Sequence, residues 1–189
     1  DLTYAAQVGD VKYATLAEAI AAVKANGGTL TLLANAYESM TFNYPADGAP
    51  VEITLDLNGF TITSAESTLW VSDGYVVTVK DSVGTGKIVT TSNNGSDSAE
   101  AIAVNRDGKV ILEGGTVEAP YYGVFLYSGN TIGKEVFVMN GGKIEVPNGG
   151  QALSIGKGKA TINGGEVIIN KVPGGAGWNT VVYENGVLD

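Results

Sequence analysis

Carboxylates, amides and aromatic rings are the side chains that could do chemistry in this chain of 189 residues. It contains no histidine and no cysteine, which excludes catalytic triads, thiolate metal sites and imidazole acid-base catalysis. Two carboxylates a few ångströms apart can cleave a glycosidic bond, and carboxylates that hold calcium beside a basic residue can support lyase chemistry. A serine-lysine site remains formally possible, but SIGKGK around Ser154 does not place a Ser-x-x-Lys motif on a helix. Carboxylates are therefore the main candidates for catalysis.

Five acidic residues recur about one repeat apart and could approach one another in space. They are Asp56 with Asp81, and Glu113 with Glu118 and Glu145. Each lies in a strand-like segment where polar and apolar residues alternate, a pattern that is also typical of an exposed sheet face. We predict no catalytic site, and a polysaccharide lyase or glycoside hydrolase stays the alternative.

The segment NNGSDSAE, residues 93–100, is the best candidate for a cation or ligand contact. Its oxygen donors are Asn93, Asn94, Asp97, Ser98 and Glu100. Calcium prefers such hard oxygen ligands, but the spacing is not that of an EF-hand loop. The alternative is a plain polar loop, so we predict no cofactor, with calcium as a weak possibility.

Aromatic residues at bends suggest a binding surface. Tyr121 and Tyr122 follow Pro120, and Trp178 lies in the glycine-rich segment PGGAGWN. A ring that stays exposed there could stack on a sugar or on a partner protein. The alternative for Trp178 is that it closes the last turn of the core.

A glycine-rich repeat dominates the chain after the first third. The segments LNGFTITS, LEGGTVEA, MNGGKIEV and INGGEVII echo one another, and they place five positions in equivalent slots: Thr61, Lys87, Thr116, Lys143 and Glu166. A second series alternates with the first: STLWV, AIAV, GVFLY, QALSI and TVVY. Three short strands in roughly 25 residues, with no helix inside the period, predict a right-handed parallel β-helix of about six turns, with a β-sandwich as the alternative.

Three asparagines share one slot of this repeat: Asn58, Asn140 and Asn163, with Glu113 in the same slot of another turn. Side-chain amides stacked in neighbouring turns can hydrogen-bond along the stack, and asparagine tolerates the left-handed backbone of a bend. We interpret them as a structural ladder. The functional alternative is that they bind sugar hydroxyls or a cation.

One amphipathic helix precedes the repeats. We place it at residues 15–26, where Thr15 and Glu18 form a capping box and two glycines supply the stop. Such a helix can cover the open N-terminal end of a β-helix. The sequence therefore predicts a single domain over 1–189, with N-terminal strands, cap helix and first strand in 1–36 and repeating turns in 51–189.

The charge balance limits the partners. Lys plus Arg number 11 against 20 for Asp plus Glu, a net charge of -9. Nucleic acid is not expected, because few cations are available to neutralise phosphates. No apolar run is long enough to span a bilayer. The start at Asp1, without Met or a signal-like stretch, fits a mature secreted product or an excised piece.

The first third resembles the pectate-lyase-like right-handed β-helix domains of surface and secreted proteins of Gram-positive bacteria. The residues that carry this resemblance are Tyr13, Thr15, Leu16, Glu18, Ala19 and Ile20, then Gly28, Thr29, Leu30, Leu32 and Leu33, then Leu55 to Ile62. The resemblance implies the fold and a location at the cell envelope or outside the cell. It does not imply an activity, because the Asp-Asp and His-Gly signatures of the hydrolases are absent and Arg106 is the only arginine available to a lyase.

Together these features predict a non-catalytic extracellular or cell-surface module that serves adhesion, glycan contact or assembly. Its expected partners are a glycan or a host or cell-surface protein. A β-helix also has two ends, so end-to-end self-association into fibres is a further alternative.

Overall fold

Three sheets form the walls of the molecule, and each turn of the chain adds one strand to each of them in succession. In the computed structural model these turns wind as a right-handed parallel β-helix with one short helix. The structure describes residues 3–45, 49–92, 99–127, 134–170 and 187–189, and the backbone alone of 179–184. The predicted fold class is confirmed, and the β-sandwich is not favoured.

The first sheet has nine strands, numbered along the chain. In spatial order they are β2 (Val11–Tyr13), β1 (Ala6–Val8), β3 (Gly28–Leu32), β5 (Glu52–Asp56), β8 (Val76–Lys80), β11 (Lys109–Leu112), β14 (Val136–Met139), β17 (Lys159–Ile162) and β20 (Val187–Leu188). The strands β1 and β2 form an antiparallel hairpin on β3, and every later pair is parallel.

The other two sheets are parallel throughout. The second contains β6 (Thr61–Ser64), β9 (Lys87–Thr90), β12 (Thr116–Glu118), β15 (Lys143–Val146) and β18 (Glu166–Ile169). The third contains β4 (Met40–Phe42), β7 (Leu69–Val71), β10 (Glu100–Val104), β13 (Tyr122–Leu126), β16 (Gly150–Ile155) and β19 (Asn179–Glu184).

The register of the second sheet matches the predicted repeat residue for residue. Thr61 pairs with Lys87, Lys87 with Thr116, Thr116 with Lys143, and Lys143 with Glu166. The second series of echoes forms the third sheet, as the pairing of Leu69 with Ile102 and of Ile102 with Val124 shows. Five turns, from β5 to β19, contain one strand of each sheet. The remaining one of the six predicted turns is the first along the chain: it contains β3 and β4, but in the second sheet it has only the isolated bridge of Ala36 to Ile62.

A single helix, α1 (Leu16–Asn26), covers the N-terminal end. Its capping box is present: the Glu18 amide donates to Thr15 Oγ1 over 3.3 Å, and the Thr15 amide donates to Glu18 Oε2 over 3.2 Å. The C-terminal stop is Gly27, at φ 70°, whose amide donates to the Val23 carbonyl. Among the described residues no helix is long and apolar enough to cross a membrane.

The core lies inside the coil and consists of stacked apolar columns. In the first sheet one such column runs through Val79, Leu112 and Met139, all completely buried. In the second sheet Val117 and Ile144 stack in the same way. Burial of each large side chain contributes about 1.5 to 3 kcal/mol, so these columns supply the main stabilisation of the coil.

Glu135 is an exception inside this core. It precedes β14 and is completely buried, and neither of its carboxylate oxygens has a hydrogen-bond partner among the described residues. Its backbone carbonyl accepts from the Lys159 amide, so the position is fixed by the coil. A buried polar group without a partner costs about 1 to 3 kcal/mol.

Replacement of Glu135 by leucine is therefore expected to raise the free energy of unfolding, by about 1 to 2 kcal/mol. Glu135→Gln is the matched control, because it keeps a polar group of similar shape and should gain less. Urea unfolding of the three proteins measures the effect. A leucine variant less stable than the glutamine variant would mean that the carboxylate is satisfied in solution.

Candidate functional site

The predicted site residues fall into described and undescribed parts of the chain. Asn93, Asn94, Asp97 and Trp178 lie outside the described residues. Glu100, Tyr121 and Tyr122 are described and lie on or beside strands of the third sheet. The predicted cation-binding loop therefore stays a prediction.

The acidic pair Asp56 and Asp81 holds the corner between the first and second sheets. Asp56 Oδ1 accepts from the amides of Asn58, over 2.9 Å, and Ser82, over 3.0 Å. Asp81 accepts from the amides of Gly59, over 2.8 Å, and Gly86, over 2.6 Å. Each carboxylate thus accepts from one backbone amide of its own turn and one of a neighbouring turn, which is a structural role.

The pKa of Asp56 reflects this role. Burial alone would raise the pKa, but the Ser82 and Asn58 amides and the Lys80 ammonium, 3.2 Å away, outweigh it and lower the pKa below the ordinary aspartate range. A carboxylate whose pKa is lowered by folding stabilises the fold above its unfolded-state pKa. This contribution is lost as the pH falls through the folded value.

Asp56→Asn is expected to lower the free energy of unfolding by about 2 kcal/mol at neutral pH, because Asn retains only part of the hydrogen bonding and no charge. The variant should also lose less stability than the wild type between about pH 5 and pH 2. Urea unfolding at neutral and acid pH measures both effects. Asp10→Asn, at an exposed turn, is the control; an acid dependence in Asp56→Asn equal to that of the wild type would contradict the assignment.

The remaining acidic residues of the sequence analysis are also engaged. Glu118 forms an ion pair with Lys87, 2.9 Å away, and Glu145 forms one with Lys143, 3.1 Å away. Glu113 accepts a hydrogen bond from an asparagine of the next turn. Each of these carboxylates therefore has a partner within the fold.

The asparagine ladder is confirmed for two of its three members. Asn140 Nδ2 donates to Glu113 Oε1 over 2.7 Å, and Asn163 Nδ2 donates to Asn140 Oδ1 over 2.8 Å. Asn58 was predicted in the same ladder, and this is wrong: its Nδ2 donates to the backbone carbonyl of Leu32. Its turn has extra residues at this corner, so Asp56 occupies the ladder register instead and Asn58 sits at φ 48° in the bend.

Arg106, the only arginine, is held at another corner. Its Nε lies 2.8 Å from Asp73 Oδ1, and its guanidinium lies over the ring of Tyr44, 4.9 Å from the centroid. The Asp73 carboxylate also accepts from the Tyr44 amide. Arg106 thus connects three successive turns, because Tyr44, Asp73 and Arg106 follow β4, β7 and β10 respectively.

The outer face of the third sheet carries a continuous group of aromatic rings. Side chains alternate along a strand, so Trp70 points outward between the buried Leu69 and Val71. Its register partner is Ala103, and the partner of Ala103 in the next turn is Phe125. Trp70 and Phe125 therefore lie in one outward column, separated by a methyl group.

Four ring contacts connect this group into one surface. The centroid distances are 5.4 Å for Trp70 and Tyr127, 4.7 Å for Phe125 and Tyr127, 5.6 Å for Tyr122 and Phe125, and 5.7 Å for Tyr121 and Tyr122. Tilted and edge-to-face pairs at these distances are favourable aromatic arrangements. All five rings are half-buried and so keep part of their surface open to solvent. We call Trp70, Tyr121, Tyr122, Phe125 and Tyr127 the aromatic face.

The buried Glu100 carboxylate holds Tyr127 of the aromatic face through a hydrogen bond. It is 4% exposed, and it accepts 2.6 Å hydrogen bonds from Tyr127 Oη and from Ser67 Oγ. Burial, with this hydrogen bond, raises the pKa of Tyr127 well above that of a free tyrosine, so the phenol stays protonated. The carboxylate therefore sets the position of the central ring.

A polar cleft of about 290 Å³ adjoins the aromatic face at Trp70. Its lining residues are Ser39, Thr41, Asn43, Glu66, Ser67 and Trp70. The Ser39 hydroxyl of the cleft is hydrogen-bonded to the Ser64 hydroxyl over 2.8 Å. The surface thus combines partly open aromatic rings with hydroxyl, amide and carboxylate groups, which together offer stacking surface and hydrogen-bonding groups to a polar ligand.

The structure brings Glu100, Tyr121 and Tyr122 together, although the sequence placed them in separate candidate sites. Sequence reasoning missed Trp70, Phe125 and Tyr127. The sequence nevertheless contains a signal for Trp70 and Phe125, because STLWV and GVFLY belong to one aligned series. Side chains alternate along a strand, so Leu69 and Val71 on the core side place Trp70 on the outer face.

The described residues contain no group of three or more acidic side chains that could hold a metal ion. Glu100, one member of the predicted calcium set, accepts a hydrogen bond from Tyr127 on Oε1 and from Ser67 on Oε2. Calcium binding stays a prediction for the segment outside the described residues.

Comparison with known proteins adds no relative: no protein-family model, curated protein sequence or solved structure matches the chain. The chain is a right-handed parallel β-helix whose third sheet bears an aromatic face and an adjoining polar cleft.

Proposed function

We propose that this protein is a non-catalytic β-helix module that binds a glycan on its third sheet. One observation carries the proposal, namely the aromatic face beside a cleft of polar groups. Aromatic rings offer flat apolar surface to the C–H face of a sugar, and neighbouring hydroxyl and carboxylate groups can bond its hydroxyls. The surface follows the coil axis, so it suits an extended chain.

Rigidity supports the same proposal. The rings rest on strands whose buried residues form the core, and Tyr127 is tethered by Glu100. A preformed site loses little conformational entropy when a ligand binds. The aromatic face is therefore suited to recognition without rearrangement.

The engaged carboxylates support a non-catalytic role. Asp56 and Asp81 bind backbone amides, and Glu118 and Glu145 form ion pairs. A glycosidase needs one carboxyl group free to donate a proton and another free to act as base or nucleophile. The polysaccharide lyase or hydrolase is therefore the weaker proposal.

The proposed location is outside the cell or on its surface. The resemblance of residues 13–62 to pectate-lyase-like surface modules of Gram-positive bacteria supports it, as does a glycan-binding role. Fold resemblance alone does not assign an activity, so adhesion through a glycan is proposed on the aromatic face and not on the resemblance.

A glycan array probed with the isolated chain, once with calcium and once with chelator, tests the proposal. We expect saturable binding to one class of glycan, with the bound oligosaccharide recovered at its original length. Absence of binding in both conditions would contradict the glycan role. Shortened products would contradict the non-catalytic role.

Self-association is a second candidate, because the last turns expose part of their core. Met139, Ile144 and Val146 are completely buried, whereas their partners in the following turn, Ile162, Val167 and Ile169, are half-buried. Among the described strands, β18, β19 and β20 are also the last of their sheets and are paired along one edge only. A second copy stacked on this end would cover both.

Sedimentation velocity over a wide range of protein concentrations separates the two candidates. Growth of the particle with concentration would support assembly through the C-terminal end. A protein that remains monomeric at the highest concentration would exclude it and leave the glycan proposal unaffected.

A further inference from the structure

The aromatic face lies on strands that carry no cationic side chain. The strands of the third sheet contain no lysine or arginine. The Glu66 carboxylate lines the adjoining cleft, the Glu100 carboxylate bonds Tyr127 of the aromatic face, and Glu38 directly precedes Ser39 of the cleft. The chain as a whole carries a net charge of -9. These charges favour a cationic ligand over an anionic one at the cleft.

Other rings of this chain carry a cation of the chain itself. The pairs, with distances from the charged group to the ring centroid, are Lys12 with Tyr4 at 5.7 Å, Lys24 with Tyr75 at 5.8 Å and Arg106 with Tyr44 at 4.9 Å. Within the described residues no ring of the aromatic face has such a partner. Its ring surfaces remain available to a cation from a ligand.

Glu66 is the carboxylate placed to receive that cation. Its backbone is fixed, because its amide donates to Ser64 Oγ over 3.0 Å and its carbonyl accepts from Thr90 Oγ1 over 3.1 Å. Its side chain is exposed and lines the cleft together with Trp70. Among the described residues its carboxylate has no hydrogen bond and no ion pair.

We infer that the glycan bound on the third sheet bears amino groups, and that one ammonium lies between the Glu66 carboxylate and the ring of Trp70. This inference rests on the proposed glycan function and specifies its ligand class. An ammonium next to a carboxylate and over an indole gains both Coulomb and cation–π attraction. A polyuronate would place carboxylates against Glu66 and is disfavoured.

Three probes test the ligand class: a glucosamine oligosaccharide with free amines, its fully N-acetylated counterpart and an oligogalacturonate of equal length. Calorimetry at a pH where the amines are protonated should give an affinity for the free-amine probe roughly tenfold above that for the acetylated one. The difference should shrink as salt is added. The oligogalacturonate should bind weakest.

The variant Glu66→Gln tests whether the Glu66 carboxylate provides the preference for free amines. We expect this variant to lose most of the preference for free amines and to bind the acetylated probe as the wild type does. The matched control is Glu166→Gln, an exposed glutamate on the second sheet, which should change neither affinity.

The outcomes separate this inference from the function on which it rests. If none of these probes and no other glycan binds, the proposed function itself fails. If the acetylated or uronate probe binds as tightly as the free amine, or if Glu66→Gln keeps the preference, glycan binding stands and the inferred ligand class is wrong.

Discussion

Replacement of Trp70 by alanine is expected to lower the affinity for the bound glycan by about 30-fold or more. An aromatic residue that a ligand covers at the centre of an interface typically contributes ~2 kcal/mol or more to binding. Trp70 is the residue shared by the aromatic face and the polar cleft. Its loss removes the stacking surface and also the ring that holds Tyr127 from one side. Calorimetry with the glycan identified on the array measures the change.

The effect on folding should be smaller, since Trp70 is half-buried and points away from the core. Trp70→Phe should recover part of the affinity because it restores a ring. Tyr4→Ala is the control: Tyr4 is a half-buried ring at the N-terminal end, beneath Lys12. A folded Trp70→Ala variant with wild-type affinity, or an equal loss in Tyr4→Ala, would place the site elsewhere.

The substitution with the largest expected effect on stability is Gly150→Ala. Gly150 begins β16 at φ +136°, a backbone conformation that residues with a side chain rarely adopt. An added Cβ would overlap the carbonyl oxygen of Tyr121 and lie 2.9 Å from its carbonyl carbon. That carbonyl accepts from the Gln151 amide over 2.7 Å, so the neighbouring strands would have to separate.

We expect Gly150→Ala to cost more than about 4 kcal/mol, in the range of a broken backbone pairing with strain. Gly84→Ala isolates the contribution of the backbone angle, since Gly84 sits at φ +94° with nothing within 4 Å of an added Cβ. That control should cost only about 1 to 2 kcal/mol. Urea unfolding compares them, and equal losses would show that the close approach to Tyr121 is relieved at little cost.

The architecture was predictable because the bends between its strands are marked by recurring glycines in the sequence. Glycines between short apolar strands recur at a nearly constant interval, so Thr61, Lys87 and Thr116 could be aligned before the fold was known. Asn58 shows where this reasoning fails. The motif LNG resembles MNG, but the first corner contains additional residues held by Asp56 and Asp81, and a motif without its corner length does not fix the register.

The aromatic face was only partly predictable. Tyr121 and Tyr122 were identified from the bend after Pro120, whereas Trp70 and Phe125 lie within apolar strands and were not separated from the core. Their contact with Tyr127 depends on two turns that are distant in sequence, with the small Ala103 between them. Such lateral proximity follows from the register of the coil and not from any local pattern.

The fluorescence of Trp70 offers the most direct test of the central claim, that the third sheet binds a glycan through its aromatic face. The chain has two tryptophans, so a Trp178→Phe variant leaves Trp70 as the single reporter. Addition of the identified glycan should change the Trp70 emission in a saturable way, with the same affinity that calorimetry gives. Full glycan binding by this variant with unchanged Trp70 emission would contradict the claim.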